Sequence, residues 1–367
     1  MLRRMNYKEI PELDRYSNSL DALSPYIGKM RPELVDWVIE NFSCKNGTIY
    51  DPFSGSGTVL LEGWKYGYSV IGTDLNDYAI VLSKGKTHPF ISEKDALDRI
   101  DCYEMSVKTW MKRHDNTRIP EWVSDFFNPD TLKEICAWTS ILKKNQEWFL
   151  LSCLLGILHH QRPGFLSYPS SHGAPYLRTN KYPLSEYPEM YQYREVLPRL
   201  VAKVGRVYRN MPGLNFDISR NVLKKDASKA KFEEQSINTI ITSPPYMKSL
   251  TYARDNRLRL FFLGEEDWRG LDKLISPERK CFFSMITECF KKWYKIQPPN
   301  GRCVLVVGDI KAKYEYTDCR LPEALELLSD KYYRLVDSYL DPIPETRKVV
   351  KGNSRVTKEA VLVFERR

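Results

Sequence analysis

One segment of the chain combines glycines with an acidic residue at a spacing that could bind a ligand. It is YDPFSGSGTVLLE (Tyr50–Glu62), in which Gly55 and Gly57 let the backbone turn tightly and approach a ligand closely. The Lys of a Walker phosphate loop is missing, and Leu60 stands where a dinucleotide loop has its third glycine. Asp51 would also repel a triphosphate. The segment therefore favours a ligand that carries positive charge.

The neighbouring residues narrow the chemistry of that ligand. Asp51 can pair with an ammonium group, and the amino terminus of a helix starting near Thr58 can receive a carboxylate, so an amino acid suits both. About twenty residues further on, in GTDLN (Gly72–Asn76), Asp74 is placed to accept hydrogen bonds from ribose hydroxyls. An amino acid joined to a ribose predicts S-adenosylmethionine as the cofactor.

A second segment suits the recognition of an amino group on a base. SINTIITSPPY (Ser236–Tyr246) is a hydrophobic strand that ends in two prolines, which have no amide donors and leave carbonyl oxygens as fixed acceptors. Ser243 and the Pro244 carbonyl could accept the two N–H bonds of an exocyclic amine, while Tyr246 stacks on the ring of an extruded base. A rigid surface turn is the alternative for this segment alone, and the glycine loop argues against it.

These motifs together resemble the amino-methyltransferases of DNA, which methylate cytosine N4 or adenine N6, and most closely their cytosine-N4 members. The matching residues are DPFSGSGT (Asp51–Thr58), GTDLN, Asp226 in KKDASK and TSPPY (Thr242–Tyr246), with Ser24–Phe42 resembling the element that closes over the cofactor. The resemblance implies Ser243, Pro244, Pro245 and Tyr246 as catalytic residues. The cofactor-binding set that we expect is Tyr26, Asp51, Pro52, Phe53, Ser54, Gly55, Gly57, Thr58, Asp74, Leu75, Asp226, Ala227 and Thr242.

The target base depends on one position. Family members that act on adenine usually begin the catalytic motif with Asp or Asn, whereas Ser at position 243 is the usual cytosine-N4 form, and adenine N6 stays open as the alternative. Methylation at carbon 5 of cytosine needs a cysteine presented after a proline, and the sequence has no Pro-Cys dipeptide. We therefore predict direct methyl transfer without a covalent enzyme intermediate.

The elements that must position these motifs alternate between strand and helix. Strands are predicted over 48–50, 69–72, 238–241, 303–307 and 360–364, and helices over 31–42, 57–66, 77–86, 252–263 and 278–294. This alternation predicts an α/β fold, the Rossmann-like fold of S-adenosylmethionine-dependent methyltransferases, with a mostly parallel sheet and helices on both faces. We expect residues 1–90 to form the cofactor-binding half, 216–367 the catalytic half, and 91–215 a mainly helical insertion for target recognition, with helices over 130–143, 146–160 and 187–209.

Contacts with duplex DNA are expected mainly from the insertion. Between His159 and Arg209 there are eight Lys or Arg against three Glu, interleaved with aromatic residues. The loop Arg162–Pro183 favours phosphate contact over a purely structural role, and Arg254, Arg257 and Arg259 form a second basic cluster after TSPPY. A third cluster is Arg347–Arg355. The DNA-binding residues that we expect are Arg162, Tyr168, His172, Arg178, Lys181, Arg254 and Arg257.

The composition is consistent with a protein that binds DNA, and it argues against a membrane-spanning or metal-binding protein. The 367 residues include 56 Lys and Arg against 47 Asp and Glu, a net charge of +9, which permits a polyanionic partner without identifying one. No apolar run is long enough to span a membrane, so we expect a soluble, cytoplasmic protein. The eight cysteines have no metal-ligand spacing and are expected to be reduced core thiols. A restriction endonuclease is the expected functional partner, and RNA guanine N2 as target or a DNA-binding protein without catalysis are the remaining alternatives.

Overall fold

The computed structural model describes residues 5–13, 18–114, 119–245, 251–276, 278–314, 317–342 and 358–367. The strands are β1 (Lys8–Glu9), β2 (Thr48–Asp51), β3 (Ser69–Asp74), β4 (Arg220–Lys224), β5 (Thr239–Thr242), β6 (Arg302–Gly308), β7 (Lys311–Tyr314), β8 (Thr317–Arg320), β9 (Tyr333–Pro342) and β10 (Lys358–Arg366). The helices are α1 (Pro32–Phe42), α2 (Thr58–Lys65), α3 (Asp77–Thr87), α4 (Glu93–Arg113), α5 (Glu121–Ser124), α6 (Pro129–Lys144), α7 (Trp148–Gly156), α8 (Val196–Arg209), α9 (Tyr252–Asp255), α10 (Arg257–Leu263), α11 (Trp268–Ile275), α12 (Arg279–Ile296) and α13 (Leu321–Ser329).

The main sheet has the order β1-β9-β10-β6-β5-β2-β3-β4. Strands β4, β3, β2, β5 and β6 run parallel to one another, whereas β10 is antiparallel to both β6 and β9. The chain builds outward from β2 to β3 and β4 on one side, and from β5 to β6 on the other. The strand order therefore reverses between β2 and β5, which is where open α/β sheets bind their ligands.

Alternating side chains explain why helices cover both faces. Ile49, Ile241 and Val304 pack into one core with α1, α2 and α3, whereas Tyr50 and Ile240 pack into a second core with α12 and α13. A strand buried on both faces has a continuous hydrophobic sequence, as the central strands here have. The predicted α/β class with a mostly parallel sheet is confirmed.

Every strand that we predicted from the sequence is present within one or two residues of its expected bounds. The predicted helix over 252–263 is instead two helices, because Asn256 leaves helical geometry at φ −109° and ψ 11° and its side-chain amide donates to the Tyr252 carbonyl at 2.9 Å. The predicted helix over 187–209 is likewise a 3-10 turn (Pro188–Tyr191) followed by α8. The sequence analysis missed four helices, α4, α5, α11 and α13, and the strands β1, β4 and β9 with the hairpin β7–β8.

The residues between α3 and β4 form mainly helices. The most apolar of these helices, α7, packs directly on α3, where the Ser152 hydroxyl donates to the Val81 carbonyl at 2.9 Å. Side chains from α4, α6, α7 and α8 share one buried cluster with α1, α2 and α3. The helical content agrees with the predicted insertion, while the division into 1–90, 91–215 and 216–367 stays a prediction.

All eight cysteines are free, but not all of them are core residues. Cys153, Cys289 and Cys303 are buried as expected, whereas Cys102 and Cys281 are exposed on the polar faces of α4 and α12. The expectation of core thiols was wrong for these two positions, because a helix face cannot be read from an isolated cysteine. No described helix is long and apolar enough to cross a membrane.

Candidate active site at the carboxyl edge of the sheet

Four neighbouring strands end at the same edge, and each ends in a predicted site motif. In spatial order these strands are β4, β3, β2 and β5, and they lead into Asp226, Asp74, Asp51 and Ser243. The Lys225 amide donates to the Asp74 carbonyl at 3.1 Å, which joins the first two motifs. The Thr242 hydroxyl donates to the Asp51 carboxylate at 2.6 Å, which joins the last two across the reversal of strand order.

The loop after β2 has the backbone that its glycines predict. Gly55 and Gly57 have φ values of +47° and +74°, which only glycine adopts readily. At Gly57 a Cβ atom would also lie 2.8 Å from the Ser83 hydroxyl oxygen and 2.9 Å from the Ser83 Cα, so a side chain is excluded twice. Gly57 is the N-cap of α2, and within the described residues no side chain caps this helix end. Its amides are thus available for a carboxylate.

Asp51 is almost fully buried, with 1% of its surface exposed. Its carboxylate accepts hydrogen bonds from the Thr242 hydroxyl and from the Phe53 amide at 3.1 Å. Burial raises the pKa of Asp51 to about 7, and these two hydrogen bonds offset only part of that rise. A buried carboxylate with a raised pKa favours the approach of a cation, because the cation stabilises the ionised form.

Asp74 has a scaffolding role that the sequence did not reveal. Its carboxylate accepts hydrogen bonds from the Gly55 amide and from the Asn76 amide, both at 2.9 Å. It therefore holds the glycine loop against the end of β3. Burial raises its pKa, although these amide hydrogen bonds work in the opposite direction. The residue as a whole is only partly buried, and its predicted contact with a ribose stays a prediction.

Asp226 is a different kind of carboxylate. It accepts hydrogen bonds from the Ser228 amide at 2.8 Å and the Ser228 hydroxyl at 2.7 Å, and its carboxylate lies 3.3 Å from the Lys229 ammonium. Partial burial would raise its pKa, but the hydrogen bonds and the Lys229 charge outweigh burial and lower the pKa. Asp226 is therefore an ionised acceptor at neutral pH.

Tyr26 lies beside the glycine loop, as the resemblance implied. Its ring carbon Cε1 is 3.5 Å from the position that a Cβ on Gly55 would occupy. Its ring stacks on Tyr78 at 5.9 Å and on Tyr252 at 6.4 Å between centroids. The Tyr78 hydroxyl donates to the Pro25 carbonyl at 2.7 Å, which fixes the segment that carries Tyr26. The sequence analysis did not predict that Tyr78 and Tyr252 contact Tyr26. The only signal for them in the sequence is the high number of tyrosines.

The predicted cofactor residues divide by exposure. Some are only partly buried and can present surface to a ligand; these are Tyr26, Phe53, Gly55, Asp74, Leu75 and Asp226. The others are buried and shape the cleft from within; these are Asp51, Pro52, Ser54, Gly57, Thr58, Ala227 and Thr242. The Ser54 hydroxyl is buried and has no partner within the described part of the chain.

The catalytic motif follows directly after Thr242. Ser243 and Pro245 are partly exposed and Pro244 is buried, and the motif begins one residue after Thr242, whose hydroxyl donates to Asp51. Tyr246 lies outside the described residues, as does the third basic cluster, Arg347–Arg355.

The predicted DNA-binding residues are not equally available. Arg162, Lys181 and Arg254 are exposed, and Tyr168 is half-buried against Tyr191 at 4.9 Å. Arg178 donates to the Gln161 side-chain oxygen at 2.8 Å. His172 is exposed as a residue, but desolvation of its ring and the nearby Arg259 lower its pKa to about 4, so the ring is neutral near pH 7 and adds no positive charge.

The two arginines of the second basic cluster that lie on α10 donate to backbone carbonyls. Arg259 has 1% of its surface exposed and donates to the carbonyls of Leu155, Gly173 and His172 at 3.3 to 3.4 Å. Arg257 donates to the Pro175 carbonyl at 2.6 Å. The expectation that Arg259 contributes to a DNA-facing cluster was wrong, because the loop it packs against needs its donors. Arg257 is half-buried and stays a prediction as a DNA contact.

The strand order and the motifs at the strand ends agree with the fold expected from the sequence. It is a Rossmann-like α/β fold, similar to that of S-adenosylmethionine-dependent methyltransferases, with the glycine loop at the point where strand order reverses. Residues 10–85 match the family described as DNA methylase. This match and the curated relatives confirm the resemblance to the amino-methyltransferases of DNA, the N4/N6 family.

Two curated relatives cover much of the chain. The Type II methyltransferase M.MvaI from Kocuria varians is 29% identical over 236 residues, which are 57% of this chain and 49% of the relative. The Type II methyltransferase M.BsoBI from Geobacillus stearothermophilus is 25% identical over 276 residues, 68% of this chain and 53% of the relative. The chain thus spans about half the length of these relatives. Among solved structures, TrmN from Thermus thermophilus aligns with 93% of this chain and 50% of its own chain, at 13% identity and a TM-score of 0.38.

Proposed function

We propose that this protein transfers a methyl group from S-adenosylmethionine to the exocyclic N4 of an extruded cytosine in duplex DNA. The observation that carries the proposal is the hydrogen bond between Thr242 and Asp51. It joins the end of the glycine loop strand to the strand that presents Ser243 and Pro244. A cofactor and a target base bound at these two motifs would meet at one edge of the sheet.

The residues present fit the cofactor. When bound, S-adenosylmethionine supplies an electrophilic methyl group on a sulfonium. Its carboxylate would meet the uncapped amino terminus of α2, and its ammonium group would meet Asp51. Asp74 and Asp226 would accept hydrogen bonds from the ribose and the adenine amino group. The match of residues 10–85 to the DNA methylase family supports the same cofactor.

The proposed chemistry needs acceptors more than a strong base. The N4 lone pair of cytosine is delocalised into the ring, and accepting its two N–H bonds at Ser243 and the Pro244 carbonyl would favour a pyramidal amine. The N4 atom then attacks the methyl carbon in line, the carbon–sulfur bond breaks, and the amine loses one proton to solvent. A positioned acceptor that strengthens its hydrogen bond in the transition state lowers the barrier directly.

A matched pair of serine variants tests the role of Ser243. We expect Ser243→Ala to slow methyl transfer roughly 10- to 150-fold, the rate equivalent of about 1.5 to 3 kcal/mol for a hydrogen bond to a charged group. Ser236→Ala is the control, because its hydroxyl donates to the Glu233 carbonyl at 2.7 Å near the other end of β5. Transfer of labelled methyl to duplex DNA gives the rates, and calorimetry with S-adenosylhomocysteine verifies cofactor binding. Near-normal turnover of Ser243→Ala would contradict the proposal.

Adenine N6 remains the second candidate, since the chain resembles a family that acts on both bases. Mass spectrometry of nucleosides from DNA treated with the protein decides between them. N4-methylcytosine would support the proposal, whereas N6-methyladenine would show that adenine is the target base. Cofactor and DNA binding without any methylated product would indicate a scaffold that has lost catalysis. We further propose that the protein protects DNA against a paired restriction endonuclease. DNA that it has methylated would then resist cleavage by that endonuclease.

A further inference from the structure

Two large aromatic side chains are exposed beside one arginine on the surface of the helical region. Trp122 on α5 has 37% of its surface exposed and Tyr176 has 52%. The Arg257 guanidinium carbon lies 6.0 Å from the centre of the Trp122 ring and 5.3 Å from that of Tyr176. We name these three residues the aromatic platform. Exposed rings next to a cation are the features on which proteins stack unpaired bases.

The aromatic platform is held rigidly. Arg257 donates to the Pro175 carbonyl at 2.6 Å and to the Arg254 carbonyl at 3.1 Å, so its guanidinium is fixed between the loop and the helix. The Trp122 ring packs edge-on against Phe261 at 6.0 Å. The Tyr176 carbonyl accepts from the Ser171 amide at 2.9 Å, which closes the turn that carries this ring. Rings fixed in this way lose little entropy when a ligand stacks on them.

Contacts place the aromatic platform near the candidate active site. Arg259, two residues after Arg257 on α10, lies over the Tyr78 ring at 5.4 Å. Tyr78 in turn stacks on Tyr26, the tyrosine beside Gly55. The exposed Arg254 is close in sequence and adds positive charge to the same surface. The helix that carries Arg257 is thus joined to Tyr26 through Arg259 and Tyr78.

We propose that Trp122 and Tyr176 stack with an unpaired base of the bound DNA, distinct from the base that enters the cleft. This inference rests on the proposed function, because opening a duplex to extrude one base leaves unpaired bases beside it. The contact is independent of sequence, since every base offers a π face. It supplies affinity for the opened duplex, while specificity is read elsewhere.

Fluorescence anisotropy with three labelled DNAs tests the aromatic platform. The probes are a single-stranded oligothymidine, an abasic strand of the same length, and a duplex of mixed sequence. For Trp122→Ala and Tyr176→Ala we expect about 5- to 150-fold weaker binding of the oligothymidine, the equivalent of 1 to 3 kcal/mol per stacked base. Binding of the abasic strand should stay within twofold of wild type, because it has charge but no bases. Trp122→Phe should retain most of the affinity.

Tyr66→Ala is the matched control. This tyrosine is 39% exposed and ends α2 at the opposite edge of the sheet, so we expect its loss to leave all three affinities unchanged. Thermal unfolding confirms that each variant is folded. Equal losses on oligothymidine and abasic strand, or no loss on either, would overturn the aromatic platform while DNA binding by the wild type stands. Wild-type protein that binds none of the three DNAs would instead overturn the proposed function.

Discussion

Two irregular segments of this molecule are held in place by opposite chemistry. The glycine loop, residues 52–57, is held by carboxylates: Asp51 and Asp74 accept hydrogen bonds from the amides of Phe53 and Gly55. The basic loop, Arg162–Pro183, is held by guanidinium groups. Arg194, Arg257 and Arg259 donate to its carbonyls at Phe165, Ser167, His172, Gly173 and Pro175.

This difference has a simple physical basis. A loop without regular structure leaves backbone groups unpaired, and buried ones cost free energy unless a side chain satisfies them. A carboxylate can only accept, so it fixes amides and leaves carbonyls free, whereas a guanidinium can only donate and does the reverse. Charged residues near a site can therefore bind the ligand, form hydrogen bonds to the backbone, or do both. At both loops, some of the charged side chains that suggested ligand binding form hydrogen bonds to the backbone instead.

The largest effect that we expect comes from removing one of the buried arginines. Arg259→Met leaves the carbonyls of Leu155, Gly173 and His172 without their donor in a buried site. We expect the free energy of unfolding to fall by about 3 to 5 kcal/mol, because unsatisfied buried groups cost about 1 to 3 kcal/mol each. Urea denaturation followed by circular dichroism gives the value.

The control for this prediction is an arginine that lies within the basic loop itself. Arg162 is exposed, so Arg162→Met should change the free energy of unfolding by less than about 0.5 kcal/mol. If the two variants were equally stable, Arg259 would not support the loop. The comparison between the glycine loop, held by carboxylates, and the basic loop, held by guanidinium groups, would then lose its main support.

The α/β class of the fold and the position of the glycine loop could be predicted because they depend on local signals. Gly55 and Gly57 lie in a left-handed turn that excludes other residues, and the apolar strands alternate with helices at recognisable spacing. Strand β4, in contrast, has only one buried side chain, Val222, so its sequence lacks a hydrophobic signal. The bulged strand β9 is half-exposed and was missed for the same reason.

The roles of charged residues could not be predicted, because they depend on contacts between distant segments. Arg257 and Arg259 look like a basic stripe on a helix, and nothing in their spacing shows that a turn 82 to 87 residues away needs their donors. Asp74, the last residue of β3, was predicted as a ribose contact, and that role stays a prediction. Its hydrogen bond to the Gly55 amide, 19 residues earlier, follows from the sheet and not from the motif.

A second prediction tests whether the carboxylate side of the comparison also serves a ligand. Burial raises the pKa of Asp51 to about 7, from a usual value of 3.8. An ammonium group binds the ionised form, so the affinity for S-adenosylhomocysteine should rise as the pH increases through 7. Between pH 6 and pH 7.5 the ionised fraction grows about eightfold, and the affinity should follow it. Calorimetry in buffers with different ionisation enthalpies should also detect release of a proton.

The Asp51 carboxyl affects the stability of the fold in the opposite direction: stability falls where the affinity rises with pH. A raised pKa means that folding favours the protonated carboxyl, so this contribution is full below pH 3.8 and is lost as the pH rises through about 7. Asp51→Asn is the control, because the amide cannot titrate. In this variant the pH dependence of cofactor affinity should disappear. A wild-type affinity that is flat from pH 6 to pH 7.5 would show that Asp51 serves only the backbone, as Arg259 does at the basic loop.

The smallest expected effect concerns the charges of the basic loop that do not hold its backbone. Arg162 and Lys181 are exposed, and if each contacts a phosphate, replacing it with Ala should lower the slope of log affinity against log salt by about 1. Titration of duplex DNA between about 50 and 200 mM salt measures these slopes. Lys45→Ala is the control, because Lys45 is exposed just before β2, at the opposite edge of the sheet. Unchanged slopes for Arg162→Ala and Lys181→Ala would mean that the positive charge of this loop works almost wholly as scaffolding, and that contacts with the DNA backbone must come from other elements.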